Sequence, residues 1–518
     1  MQEVSGSIPL GSTIFLHPTF ARDQLQSAPL AASGLRSPTS SASLASSQVD
    51  ADASMKLFPL LFAGAALVTS CSSPAMSRDL CEPAPRTQAG GALPIGRVWS
   101  GVQVAFGSAL SKDGVLVAAF YDADRYLTLA TYDPGSGRIC RKRLPSRFGG
   151  WDAHNVLVVV IDDEDRIHVA GNAHASSLVY ATGPLHDLDA VALRPMLGRN
   201  EASATYPQFL HDGAGNLLFL YRDGMSGNGL WMLNAWRDGQ WKRVGQLFAG
   251  RDDDGPVSAY PTEFVADDDG RFHVAVVWRR TPDVATNFAL TYASTRDFQH
   301  WDVDGRTVSG PLSPKTMEMI DAPGVGQGLV NNAQLTLSPS GRPVVLFTKY
   351  VEGGKSGVVA AARDDGRWRT RTIVTGPEAL KVSGGGSMPG LPIFRFAETR
   401  RDGSIHVSAV SGKQQSELLL DPTRLVAAPW RSDPNPGPVK RARVPNPAAL
   451  GLTPPAGMEK VGVQSAIVRR NGVDGAVAGE LRWIAQGVNQ DQPRACKPSA
   501  PVACKPPASP LIWVPAPD

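Results

Sequence analysis

The chain is 518 residues long, 42% hydrophobic and 19% charged, with 52 Gly, 42 Pro and a formal net charge of +3. So little charge beside so much Gly and Pro excludes a coiled coil or a helix-rich bundle. The near-neutral balance leaves no basic stripe for nucleic acid, and no apolar run reaches the roughly 18 residues of a spanning helix.

Residues 1–54 are rich in Ser, Ala and Leu without an apolar period, and are expected to be a low-complexity leader arising from a start-site error, with Met55 the true start. Met55 and Lys56 open an apolar run from Leu57 to Val68, followed by small residues and Cys71. Residues 55–70 resemble a bacterial lipoprotein signal peptide, in which Cys71 becomes the acylated first residue. The resemblance implies an exported lipoprotein, lipid-anchored to a membrane in the periplasm or at the outer membrane and cell surface. The expected division continues with a linker over 71–92, a β-propeller over 93–487, and a Pro-rich tail over 488–518 that could close the last blade. Cys81, Cys140, Cys496 and Cys504 then remain for two disulfides, with three pairings open and a local Cys496–Cys504 bridge among them. No Cys-x-x-Cys pair occurs to suggest zinc.

A weak repeat organises the rest. Short apolar strands follow Asp/Ser-x-x-Gly-like turns centred on Gly114, Asp165, Gly215, Gly270, Gly341 and Gly403, at spacings of 51, 50, 55, 71 and 62 residues. Second hairpins follow at Arg237–Trp241, Arg296–Trp301 and Asp364–Trp368. Asp-Gly between apolar runs is a strong hairpin signal, because both central residues must tolerate positive φ. A period near 50 residues with four strands each predicts an all-β, seven-bladed β-propeller. The strand around Val98–Phe106 is expected to help close the ring, and Gly479–Trp483 to begin the last blade. Pro422–Pro455 reads as an inter-strand excursion. A pair of β-sandwiches is the rival architecture.

The repeat also sorts the histidines. His168, His273 and His406 sit three residues after the turn position in three units, a recurrence that points to packing. His154 and His174 do not recur. His154 precedes the first strand of its unit, and His174 follows the second. The next unit places Tyr206 and Arg222 equivalently, and its successor Tyr260 and Arg279. In antiparallel blades the start of the first strand and the end of the second share one edge, so His154, His174, Tyr206 and Arg222 should converge there. Tyr260, Arg279, Asn331 and Asn332 are expected nearby. Such loop-built mouths are where a rigid scaffold binds ligands.

The combination of Asp152-x-His154-Asn155, Gly171-Asn172-x-His174, Thr205-Tyr206-Pro207 and Tyr221-Arg222-Asp223-Gly224, continuing to Gly227-Asn228-Gly229, resembles the BNR-repeat family that includes the seven-bladed ulvan lyases. The resemblance is strong over residues 145–235 and weaker over 95–485. It implies a polysaccharide lyase that cleaves a uronate-containing, ulvan-like glycan by β-elimination, with His154, His174, Tyr206 and Arg222 as catalytic residues. Arg222 would neutralise the uronate carboxylate, Tyr206 and His174 would share the proton transfers in an order left open, and His154 would position the substrate. Asn155, Asn172, Asn228, Tyr260 and Arg279 are the expected substrate-binding residues.

No metal or other cofactor is required by this scheme. The Asp-rich turns at Asp252–Asp254 and Asp267–Asp269 could hold calcium, but solvated turn acids are commoner, and no structural ion is assigned. The expected partner is an acidic polysaccharide, bound by a monomer. A sialidase is disfavoured, since strict Ser-x-Asp-x-Gly-x-x-Trp boxes and a three-arginine site are missing. The remaining alternative is a non-catalytic glycan-binding surface propeller lipoprotein.

Overall fold

A computed structural model describes residues 81–88, 91–385, 391–400, 402–411, 414–430, 447–458, 460–470, 477–489, 491–496, 498 and 501–516. The expected leader, signal peptide and Cys71 lie outside the described residues.

The fold is all-β. Among the described residues there is no α-helix, and seven antiparallel sheets of four or more strands are joined by loops and short 3-10 turns. The second sheet pairs Leu157–Ile161, Arg166–Gly171, Val179–Pro184 and Ala192–Leu193; the third pairs Ala204–His211, Leu217–Met225, Asn228–Arg237 and Gln240–Gln246. The fourth, fifth and sixth sheets occupy Ser258–Asp321, Gln334–Thr375 and Ile393–Pro429.

The predicted turns account for this regularity. All six aligned positions have positive φ, from 54° at Asp165 to 89° at Gly114. That region is open to Gly and tolerated by Asp. In five of the six, the residue three earlier is a short polar one whose side chain accepts backbone N–H groups across the turn, Ser111 and Ser338 among them. Asp162 takes those of Glu164 and Arg166, Asp212 those of Ala214 and Asn216, and Asp267 those of Asp269 and Arg271. The same acids hold the recurring histidines. His168 lies between Asp162 and the Tyr180 hydroxyl, at 3.1 and 2.7 Å, and His273 lies between Asp267 and Tyr292, at 3.1 and 2.5 Å. His406 stacks on Trp430 and meets Glu417 at 2.8 Å. These three histidines are therefore structural ties.

The buried apolar side chains form seams shared by consecutive sheets: Tyr180 with Phe219 and Trp241, Leu233 with Val274 and Trp301, Val277 with Phe347, and Leu346 with Val407. A further seam joins the first sheet to the last, through Phe106, Phe120, Val468, Trp483 and Trp513. The last sheet takes Val461–Arg469, Val477–Gln486 and Ser509–Pro515 from the C-terminal part of the chain, and Leu93–Val98 from the N-terminal part.

Two expectations need correction here. The N-terminal strand is Leu93–Val98, whereas Trp99–Phe106 is irregular. Its partner lies some 400 residues away, with Leu93 opposite Trp513 and Val98 opposite Ser509, so no local pattern marks it. Gly479–Trp483 does not begin the last sheet but lies within its second strand, Val477–Gln486. The Pro-rich excursion contains the last strand of the sixth sheet, Val426–Pro429, and its residues 431–446 lie outside the described ones. The cysteines pair as Cys81–Cys140 and Cys496–Cys504.

Candidate active site

Strand pairing builds the site from the edges of the second and third sheets. Leu157 pairs with Gly171, so the loop carrying His154 and the segment carrying His174 leave the second sheet side by side. In the third sheet Thr205 lies opposite Arg222. The two sheets are joined by a bridge from Ser176 to Ala204 and by the Ala175 N–H, which donates to the Thr205 hydroxyl at 2.8 Å. Between Thr205 and Gln208 the register shifts by a bulge, and Tyr206 there adopts φ of 56°. A bulky residue with positive φ is a strained exception that the surrounding structure must hold in place. The bulge re-aims Tyr206, so that its ring lies 6.1 Å from His154, stacks parallel to Trp231 at 6.0 Å, and sits 5.0 Å from the Arg222 guanidinium.

Asp152 organises the two imidazoles. Its Oδ1 accepts the His154 N–H at 2.8 Å and meets His154 Nδ1 at 2.6 Å, while its Oδ2 meets His174 Nδ1. The rings stack at 4.3 Å and 24°. With both Nδ1 atoms turned to one carboxylate, each ring directs Nε2 away from it, which fixes the tautomer. Burial works to raise the Asp152 carboxyl, but hydrogen bonds from His154 and His174 outweigh it and hold the group far below the usual carboxylate range. Burial lowers His174; Asp152 opposes that, and the charges of His154 and Arg222 add to it. The net shift favours a neutral His174.

Arg222 is 0% exposed. Its Nη2 donates to Thr205 at 3.2 Å, while Nε and Nη1 are buried and have no hydrogen-bond partner among the described residues. Leaving such donors unmade is expensive. A guanidinium offered in this way matches a carboxylate in a two-pronged pair. Gly229 makes room for it: a Cβ there would come within 2.5 Å of Arg222 Cδ.

Arg279, equally buried, is in the opposite condition. Its Nε donates to Asn287 at 2.7 Å, its Nη1 to Ser226 and Tyr260 at 3.1 Å each, and its Nη2 to Asn331 at 2.7 Å. The expected substrate-binding role therefore finds its hydrogen-bonding fork already filled. Tyr260 is 5% exposed and shares that network. Asn172 accepts from Tyr121 and donates to Ser146, and Asn155 donates to the Asp152 carbonyl. Asn228 is exposed at the tip of the Met225–Asn228 turn. Asn332 donates to Thr348 and to the Pro392 carbonyl.

Two acids at the site were given no role by sequence reasoning. Asp152 lies inside the quoted motif, two residues before His154, and that spacing was the available signal. Asp491 comes from the C-terminal tail, with no signal to link it. Burial, and then the charge of Asp152, raise it to about 6. Asp152, His154 and His174 are also the one group among the described residues whose donor atoms, all within 4.8 Å of one another, could hold a metal ion. Two imidazoles and a carboxylate suit a divalent transition metal, although here these donors satisfy one another. In the Asp-rich turns, Asp252 and Asp253 pair with Arg280 and Lys315, and Asp267 with His273.

No curated protein matches the chain. Among solved structures, the polysaccharide lyase Uly1 is similar at 14% identity and a TM-score of 0.50, over 85% of this chain and 99% of that one. A PL25 ulvan lyase bound to -[GlcA(1-4)Rha3S]- aligns at 14% identity and a TM-score of 0.47, over 77% of this chain and 93% of the other. At such identity the first likeness shows a shared fold. The model for BNR repeat-containing family members matches residues 117–375, half of the sequence and all of the segment that carries His154, His174, Tyr206 and Arg222. The chain belongs to the BNR repeat-containing family.

Proposed function

We propose that this protein is a polysaccharide lyase that cleaves a uronate-containing, ulvan-like glycan by β-elimination, on a seven-bladed β-propeller. The observation that carries the reading is Arg222, a fully buried guanidinium with two unmatched donors, beside Tyr206 and an aspartate-held pair of histidines. The seven consecutive sheets, and the seam between the last and the first, support the propeller.

In this scheme Arg222 pairs with the uronate carboxylate and stabilises the charge that spreads onto it as the C5 proton leaves. Tyr206 and His174 share the two proton transfers, one removing the C5 proton and the other protonating the departing oxygen. The C5–H electron pair becomes the C4–C5 double bond, and the C4–O pair leaves with the oxygen. His154 positions the sugar, and Asp152 holds both rings. The two disulfides suit an oxidising compartment, in keeping with an exported lipoprotein anchored at Cys71. The almost complete cover of Tyr206 and Arg222, at 6% and 0% exposed, is the observation that favours the alternative, a glycan-binding propeller without turnover.

The test is ultraviolet detection of the unsaturated uronate after mixing the protein with ulvan, glucuronan, alginate, pectin and glycosaminoglycans. A signal with one polymer, abolished in Tyr206→Phe and Arg222→Ala, supports the lyase. Binding to that polymer without any unsaturated product favours the alternative.

A further inference from the structure

Two guanidiniums, Arg222 and Arg279, are fully buried close enough to repel each other, and neither pairs with a carboxylate among the described residues. Burying unpaired charge is costly, so a counter-charge is expected within the cluster. The candidate is Tyr260. Its oxygen receives the Arg279 Nη1–H at 3.1 Å and the Gly227 N–H at 3.1 Å, and lies 2.9 Å from the Ser226 hydroxyl. The Arg279 guanidinium also sits 4.2 Å from its ring centroid. Two N–H donors converge on one phenol oxygen, one of them a buried cation, and the Ser226 hydroxyl stands where it can supply a third, an arrangement that favours an anion.

We propose that Tyr260 is a positioning residue that carries its phenol as an anion at a pH where ordinary tyrosine is still protonated, serving as the internal counter-charge of Arg279 and Arg222. The anion would also pin the Ser226–Gly227 turn beside Arg222. Gly227 has φ of 72°, and a Cβ there would lie 2.3 Å from the Thr281 backbone, so the turn has little freedom to move. With Arg279 neutralised from within, Arg222 is left to the ligand carboxylate.

The charged groups that act on Tyr260 agree in sign. Burial opposes the phenolate, but Arg279 and then Arg222 overcome it, with Ser226 and Gly227 assisting, and bring Tyr260 below the ordinary phenol range. Burial lowers Arg279 and Arg222 adds to that, while Tyr260, Tyr206 and Asp283 oppose it. Elsewhere burial pushes the Tyr121, Tyr180, Tyr221 and Tyr292 phenols upward. The ionisation stands independently of cleavage, and its consequence for turnover rests on the lyase reading.

The experiment is an alkaline titration of the full chain, followed by tyrosinate absorbance. One of the nine tyrosines is expected to ionise ahead of the pKa of about 10 of free tyrosine. That step disappears in Tyr260→Phe and persists in Tyr206→Phe. Identical titrations of the native protein and Tyr260→Phe would overturn the proposal. If the Phe variant does not fold, native protein is compared with the urea-unfolded chain, and absence of an early one-tyrosine step again overturns it. Should the chain prove a lyase, Tyr260→Phe is expected to lower kcat about tenfold, the loss of a hydrogen bond to a charged group, with a smaller change in KM.

Discussion

At the scale of single residues, the site depends on Asp152 as much as on the four residues that the sequence singles out. One carboxylate binds the Nδ1 atoms of both imidazoles, and an amide cannot do the same, because it offers an acceptor on one side and a donor on the other. Asp152→Asn should therefore leave the fold intact and turn one imidazole to the wrong tautomer, lowering kcat by about 100-fold, the upper end for loss of such a support. Steady-state kinetics beside a thermal melt would check it. A pH profile gives a second readout. Burial already lowers His174, so its neutral form persists below the ordinary histidine pKa of about 6.5, and an acid limb due to His174 should have its midpoint below that value. Asp152 is what raises His174 against burial, so its removal should move the limb further toward acid. A limb that moves upward would reject this role for the pair. Asp152 was readable as part of a motif but not as a participant, because its role appears only when two loops meet. Asp491 was not readable at all.

At the scale of elements, the turns were legible and the bulge was not. Gly and Asp at the six turn positions announce positive φ through their chemistry. Tyr206 adopts the same φ region with no such mark, held by Thr205 paired with Arg222 and by packing on Trp231. The hairpin that carries Arg222 makes a sharper demand. Gly229 lies across the strand pair from Gly224, and a methyl group there would overlap Arg222 Cδ and Cγ, at 2.5 and 2.7 Å. The next neighbour is the Met225 carbonyl oxygen at 3.0 Å, so the two closest contacts fall on the arginine and the backbone has only a few tenths of an ångström to yield. Gly229→Ala is thus expected to displace the guanidinium, costing about tenfold or more in kcat/KM, about 1.4 kcal/mol, while the melting temperature falls little. An equal loss of folding and activity would show that the backbone, and not Arg222, absorbs the clash.

At the scale of the whole molecule, what escaped the sequence is long-range pairing. The repeat predicted sheet after sheet, but Leu93–Val98 joins the last sheet only through Ser509–Pro515, and the strand was expected too far along the chain. Near this union of chain ends lie the two disulfides, and they differ in span. Cys81–Cys140 encloses 59 residues of separation and Cys496–Cys504 encloses 8. In the chain-entropy account a cross-link stabilises by restricting the unfolded chain, and more so for the longer loop. Loss of the first bridge should cost about 4 kcal/mol and loss of the second about 2.5 kcal/mol. Urea unfolding of Cys140→Ser and Cys504→Ser, each read against the oxidised parent, measures both. The order of the two costs is the informative result. A reversed order would mean that the short bridge holds native structure directly, and Asp491, thirteen residues before Cys504 in a tail that reaches Asp152 and His154, would make the wall of the candidate site its natural beneficiary.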